Sequence, residues 1–241
     1  MADAAHGYSN SYLPTVLVPG LICSARLYAD QIPALWRFGP VTVADHTRDD
    51  TIAAIAARIL AAAPPRFALA GLSMGGYIAF EIARQAPERV VKLALLDTAA
   101  GPETPQQTQV RLPRIELAKT GRFAEVEAGL FPLLVHRDRH GDATIRTIVR
   151  TMTEETGAEV FVRQTQAIMG RADSRQTLAT ITCPTLVLVG DADELTPPAR
   201  AQEMASGIRG ARLVVVPDCG HLSTLERPQA VNKAMVEWMA S

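Results

Sequence analysis

The strongest constraint on this chain is an alternation. Short apolar runs recur at 15–18, 41–44, 67–70, 91–96, 185–189 and 212–216, and none shows the apolar–polar alternation of a half-exposed strand. A run that is apolar throughout suits a strand covered on both faces. Stretches of helical period lie between the runs. Residues 51–62 open on Thr51, a good N-cap, and align Ile52, Ile55 and Ile59 on one stripe. Residues 74–85 carry Ile78 and Ile82 inward, and Pro197-Pro198 opens a third helix. Pro228 starts a last one, with Val231, Met235 and Trp238 at steps of four and three. This pattern predicts βαβ units: an α/β fold with a mostly parallel sheet of about six strands flanked by helices.

One region departs from the pattern. From Gly101 to Leu178 no strand is visible, and helical periods fall at 104–119, 122–135, 142–155 and 157–169. The chain therefore divides into a core of residues 1–100 and 178–241 and an all-helical insertion at 101–177. The insertion begins where the fourth run ends. It should hang over the carboxyl ends of the strands, where open α/β sheets bind ligands.

Composition excludes several classes. Lys and Arg number 24 against 25 Asp and Glu, a formal charge of −1, which argues against a nucleic-acid partner. No apolar stretch reaches the ~18 residues of a membrane span. The chain start has neither a basic nor an apolar segment of the kind a secretory signal needs. Cys23, Cys183 and Cys219 are too scattered for a CxxC site, and an odd count suits a reducing compartment. The expectation is a cytoplasmic protein that acts on a small molecule without metal or cofactor.

The chemistry concentrates in Gly71-Leu72-Ser73-Met74-Gly75, which follows a strand run and precedes a helix. In that context G-x-S-x-G is a nucleophile elbow, and a Cβ at either glycine would crowd the sharp turn. A serine hydroxyl needs a base. Of the five histidines, His221 stands between the last strand run and the last helix, at the same edge of the sheet. His6 lies near the chain start, His136 and His140 in a charged part of the insertion, and His46 could touch substrate at the rim. The base needs an orienting carboxylate. Asp193 is favoured over Asp191, which directly follows Gly190 and suits the turn itself; Asp97 is a rival placed after the fourth run. The oxyanion donors expected are the N–H groups of Met74 and of Leu21, in the loop Pro19-Gly20-Leu21.

These segments, in the order Ser73, Asp193, His221, resemble the α/β-hydrolase superfamily from Leu13 to the end of the chain. The likeness is greatest to small bacterial esterases and enol-lactonases with a helical cap. It implies that 101–177 is the cap, and that the sheet, with about a dozen residues before Thr15, is trimmed to six parallel strands. Pro19 replaces the histidine many relatives carry, and Asp45-His46-Thr47-Arg48 replaces a Gly-His-Gly loop. The function expected is hydrolysis of a carboxylic ester or lactone through an acyl-enzyme. Acyl transfer and carbon–carbon bond hydrolysis would use the same groups, and a non-catalytic binding protein is the alternative from another class. For the pocket lining, Leu130, Phe131, Leu134, Phe161 and Met169 are the apolar candidates. The arginines of the insertion, Arg111 and Arg114 among them, read as a solvated face because acidic residues are interspersed. Arg171, Asp173 and Arg175 read as a salt-bridged hinge.

Overall fold

A computed structural model describes residues 12–241; His6 lies outside them. The strands are β1 (Thr15–Val18), β2 (Val41–Val43), β3 (Phe67–Leu72), β4 (Val90–Leu96), β5 (Thr185–Gly190) and β6 (Arg212–Val216). They form one six-stranded sheet in the order β2-β1-β3-β4-β5-β6, and every pairing is parallel. The helices are α1 (Gln31–Leu35), α2 (Ile52–Ala62), α3 (Met74–Gln85), α4 (Pro105–Lys119), α5 (Phe123–Leu134), α6 (Ala143–Met169), α7 (Arg175–Leu178), α8 (Pro198–Gly207), α9 (Ser223–Glu226) and α10 (Pro228–Ala240). Among the described residues no helix is long and apolar enough to cross a membrane.

Successive strand residues point to opposite faces, and each face has its own core. Val16, Val18, Leu69, Val187 and Val189 pack with Ile55 and Ile59 of α2, Ile78 and Ile82 of α3, and Met204 of α8. Leu17, Ala70, Leu96, Leu186 and Leu188 pack on the other face with Leu35 of α1 and Val231, Met235 and Trp238 of α10. Double coverage explains the uniform runs of β1, β3, β4 and β5. The edge strands depart from it: Thr42 of β2 and Arg212 and Val215 of β6 are exposed.

The helices start as their sequences dictate. The Thr51 side chain accepts from Ala54 N–H at the head of α2. Thr104 and Gln107 cap α4 reciprocally, with Pro105 in its first turn. Between β4 and β5 the described chain holds α4 to α7 and no strand. The two helical periods at 142–155 and 157–169 are the two arms of α6, broken at Gly157, whose φ of 79° suits glycine. The short helices α1, α7 and α9 are too brief to carry a periodic signal.

Candidate active site

Ser73 alone separates β3 from α3, with φ 57° and ψ −116°. For a residue with a Cβ such a conformation costs on the order of 1–3 kcal/mol. The end of β4 and the residues just past it hold it there. Ser73 N–H donates to the Leu96 carbonyl at 3.0 Å, and the Ser73 carbonyl accepts from Thr98 Oγ1 at 2.8 Å. The glycines are needed for the turn: a Cβ on Gly71 would lie 2.2 Å from the Gly75 carbonyl oxygen, and one on Gly75 2.0 Å from that of Val18.

His221 reaches this serine from the loop after β6. Its Nε2 lies 2.8 Å from Ser73 Oγ, and its Nδ1 lies 2.8 Å from Asp193 Oδ2. Asp193 is fixed in turn. Its Oδ1 accepts from the N–H groups of Leu195 and Thr196, both at 2.9 Å, and its Oδ2 accepts from Thr196 Oγ1 at 2.7 Å. Burial opposes charge on His221, but the Asp193 charge and hydrogen bond, with Asp97 and Glu226 behind them, outweigh it and hold the imidazole above its ordinary value. Burial likewise pushes Asp193 up, and His221 and the Thr196 donors pull it below the ordinary carboxylate range.

The other two aspartates are occupied elsewhere. Asp191 Oδ1 accepts from Cys219 N–H at 3.1 Å, across the turn. Asp97 is fully buried. It accepts from Gly190 N–H at 3.0 Å and from the Ser223 hydroxyl. Burial and the nearby Asp193 raise it well above the carboxylate range.

The loop after β1 brings a second set of groups. The Gly20 carbonyl accepts from His46 Nε2–H at 2.9 Å. In a trans peptide the N–H points opposite to the C=O, so the N–H of Leu21 is turned away from His46. Burial holds His46 below its ordinary pKa, which keeps it a neutral donor. Ile22 follows with φ 54°, unusual for a β-branched residue. Its N–H donates to Gln164 Oε1 at 3.0 Å, and Gln164 Nε2 reaches the His46 carbonyl at 3.4 Å. Gln164 is a fully buried side chain of α6. A buried amide whose partners lie over a hundred positions away leaves no mark in the sequence pattern. The N–H groups of Leu21 and Met74 meet no protein acceptor among the described residues.

In front of Ser73 opens a cavity of about 320 Å³, lined by Leu21, Tyr77, Leu130, Leu134, Ile168 and Leu195 among others. Leu130 and Leu134 stand where the sequence suggests. Four other pocket candidates do not line it. Phe131 is buried under the Arg146 guanidinium, 3.9 Å over its ring. Phe161 packs on Phe123 at 5.5 Å between centroids. Met169 gives its place to Ile168, one residue earlier on the turn, and His46 is spent on Gly20. The solvated-face expectation fails for Arg111 and Arg114, which border the cavity; Arg122 and Arg150 do pair with Glu125 and Glu154 on the surface. At the expected hinge, Arg175 pairs with Asp173, whereas Arg171 turns to Glu103. Among the described residues no three His, Cys, Asp or Glu side chains are grouped to hold a metal ion.

A parallel sheet that carries an elbow serine hydrogen-bonded to a histidine, itself hydrogen-bonded to an aspartate, defines an α/β protein of hydrolase architecture. The family model "Alpha/beta hydrolase family" matches residues 5–234, and the chain belongs to that family. Among solved structures it is similar to a thermophilic esterase from Thermogutta terrifontis, at 29% identity over 95% of this chain and 89% of that one, TM-score 0.86. It is also similar to an enol-lactonase from Burkholderia xenovorans, at 26% identity over 98% and 94%, TM-score 0.86. A curated relative, the pimeloyl-acyl-carrier-protein methyl ester esterase of Aromatoleum aromaticum, is 27% identical over 76% of this chain and 77% of its own.

Proposed function

We propose that the protein is a serine hydrolase that cleaves a carboxylic ester or lactone through an acyl-enzyme on Ser73. The observation that carries this reading is the unbroken relay from Ser73 Oγ through His221 to Asp193, with both links at 2.8 Å. Ser73 Oγ adds to the ester carbonyl carbon while His221 Nε2 takes its proton. The carbonyl electron pair moves onto oxygen, which the N–H groups of Leu21 and Met74 stabilise. Met74 is a first-turn helix residue, whose N–H has no partner within its own helix. The tetrahedral adduct collapses, the C–O bond to the alcohol breaks, and His221 returns its proton to the departing oxygen. Water then repeats the sequence on the acyl-enzyme and frees Ser73. Asp193 keeps His221 in the tautomer with Nε2 bare and stabilises the imidazolium.

Residues 101–177 act as a cap in this reading, since α4 and α5 supply cavity walls. The substrate is a small molecule, taken without a metal or organic cofactor. The free thiols Cys23, Cys183 and Cys219 are in keeping with a cytoplasmic setting. The resemblance to an esterase and an enol-lactonase supports ester or lactone chemistry over other acyl substrates.

The test joins a fluorophosphonate probe with a panel of esters and lactones. Wild type should label at Ser73 and turn over at least one substrate. Ser73→Ala should not label and should lose on the order of 10⁴-fold or more in kcat. A variant that keeps wild-type turnover overturns the assignment.

A further inference from the structure

The cavity before Ser73 has two unlike walls. Leu130, Leu134 and Leu222 make one apolar side. Helix α4 makes another, and it presents Gln107, Val110, Arg111 and Arg114. Spaced i, i+3, i+4 and i+7, these share one helix face. Arg111 and Arg114 precede by one turn Ile115 and Ala118, the two buried residues of α4. They therefore occupy the inward side, where a packed helix ordinarily carries apolar residues.

Their charges are not balanced. Arg111 Nε donates to Glu103 Oε1 at 2.7 Å. The other oxygen of Glu103 is taken by Arg171, nearly buried and 4.5 Å over the ring of Tyr77, itself a cavity residue. One carboxylate thus serves two guanidiniums. Arg114 has neither a carboxylate nor a hydrogen-bond acceptor among the described residues, although it is half-buried. Burial and the adjacent Arg111 pull its pKa below the usual arginine range. Among the described residues no Asp or Glu lines the cavity. A partly desolvated guanidinium without a counter-ion is unfavourable unless something supplies one, and its planar fork matches a carboxylate.

We propose that this cavity takes acidic esters or lactones, substrates with a free carboxylate remote from the scissile carbonyl, and that Arg114, flanked by Arg111, is the subsite for that carboxylate. The proposal rests on the hydrolase reading above and narrows its substrate class. The apolar wall holds the intervening methylenes, and the carboxylate on α4 fixes how far the ester carbonyl lies from Ser73. Chain length therefore matters as well as charge.

The experiment compares monomethyl with dimethyl esters of four- to eight-carbon dicarboxylic acids. Wild type should prefer the half-ester at one chain length by tenfold or more in kcat/KM, mainly through KM. Arg114→Gln should collapse that ratio toward one, and Arg114→Lys should restore part of it. Fluorophosphonate labelling of Ser73 in each variant reports a folded site. Free dicarboxylates should slow labelling of wild type and not of Arg114→Gln, a readout independent of turnover. Equal handling of both esters by wild type, with no protection by dicarboxylates, would overturn the subsite. A chain that neither labels nor cleaves any ester would instead overturn the hydrolase reading.

Discussion

Ser73 and Arg114 border the same cavity, yet the chain holds them by different means. Ser73 sits in a one-residue turn between strand and helix. Its backbone is bonded on both sides, and the flanking glycines cannot carry a Cβ. Arg114 stands on an ordinary helix, and no hydrogen bond or ion pair among the described residues fixes its guanidinium. In the proposed reading the reacting groups are set by backbone geometry over a few residues, which tolerates little change. The α4 wall is set by which side chains happen to face inward, which substitution alters without touching the fold. In that reading, substitutions on the α4 wall should alter substrate choice with little effect on the Ser73 chemistry.

The largest test of that division lies within the backbone-built half. Asp193 and Asp97 are both buried carboxylates at the carboxyl edge of the sheet, but only Asp193 meets His221. Asp193→Asn keeps the shape and spoils the tautomer, so kcat should fall by about 10⁴-fold. Asp97→Asn still offers an acceptor to Gly190 N–H and a partner to the Ser223 hydroxyl. It should cost less than about tenfold, as fits a group that only buttresses a turn. Equal losses in the two variants would make both carboxylates part of the relay and break the contrast.

A smaller effect comes from pH. His221 accepts a proton only when neutral, and its pKa is held above the ordinary ~6.5. Below that raised value kcat/KM should drop tenfold per pH unit. Stability runs the other way. A histidine with a raised folded pKa contributes fully below the unfolded value, and the contribution is lost as pH rises through the folded one. Activity should therefore climb over the window in which this part of the stability fades, as parallel rate and melting profiles would show. A flat rate from pH 5 to 9 removes His221 as the base. Mutation of Arg114 should leave the position of this limb alone, because among the described residues no hydrogen bond or ion pair joins Arg114 to Ser73, His221 or Asp193.

The same contrast governs what the sequence discloses. Runs buried on both faces, N-caps and prolines at helix starts are local signals, and they locate the strands and long helices to within a residue or two. Gly71, Ser73 and Gly75 disclose the elbow because its sterics are confined to five residues. Asp193 is separable from Asp191 because a carboxylate directly after Gly190 is drawn into the turn, where Cys219 N–H binds it. Helix faces are less legible. Periodicity shows that Leu130, Phe131 and Leu134 are inward, but not that Phe131 turns from the cavity. Nor can it tell a solvated arginine stripe from one that lines a pocket, since that depends on where α4 docks. His46 is a further case: its position after β2 marks it as close to the site, while its partner is a carbonyl of another loop.

Gln164 is where the two halves meet. It belongs to α6 in the insertion, yet it holds the loop that presents Leu21 N–H. Its Oε1 is the acceptor for Ile22 N–H, and Ile22 keeps a left-handed conformation that costs about 1–3 kcal/mol when unsupported. Gln164→Leu leaves a buried N–H without a partner, a penalty of about 1–3 kcal/mol. The loop can escape that penalty by rotating Ile22 out of positive φ, which would swing the neighbouring Leu21 N–H off the proposed oxyanion position. The expected result is a several-fold fall in kcat with KM little changed. Gln164→Glu keeps the acceptor for Ile22 and loses the donor to the His46 carbonyl, so it should recover part of kcat. If Gln164→Leu lowers the melting temperature but leaves kcat intact, the insertion only covers the site and the two halves are independent. If kcat falls and the glutamate variant restores it, the insertion sets the oxyanion donor as well as the substrate wall.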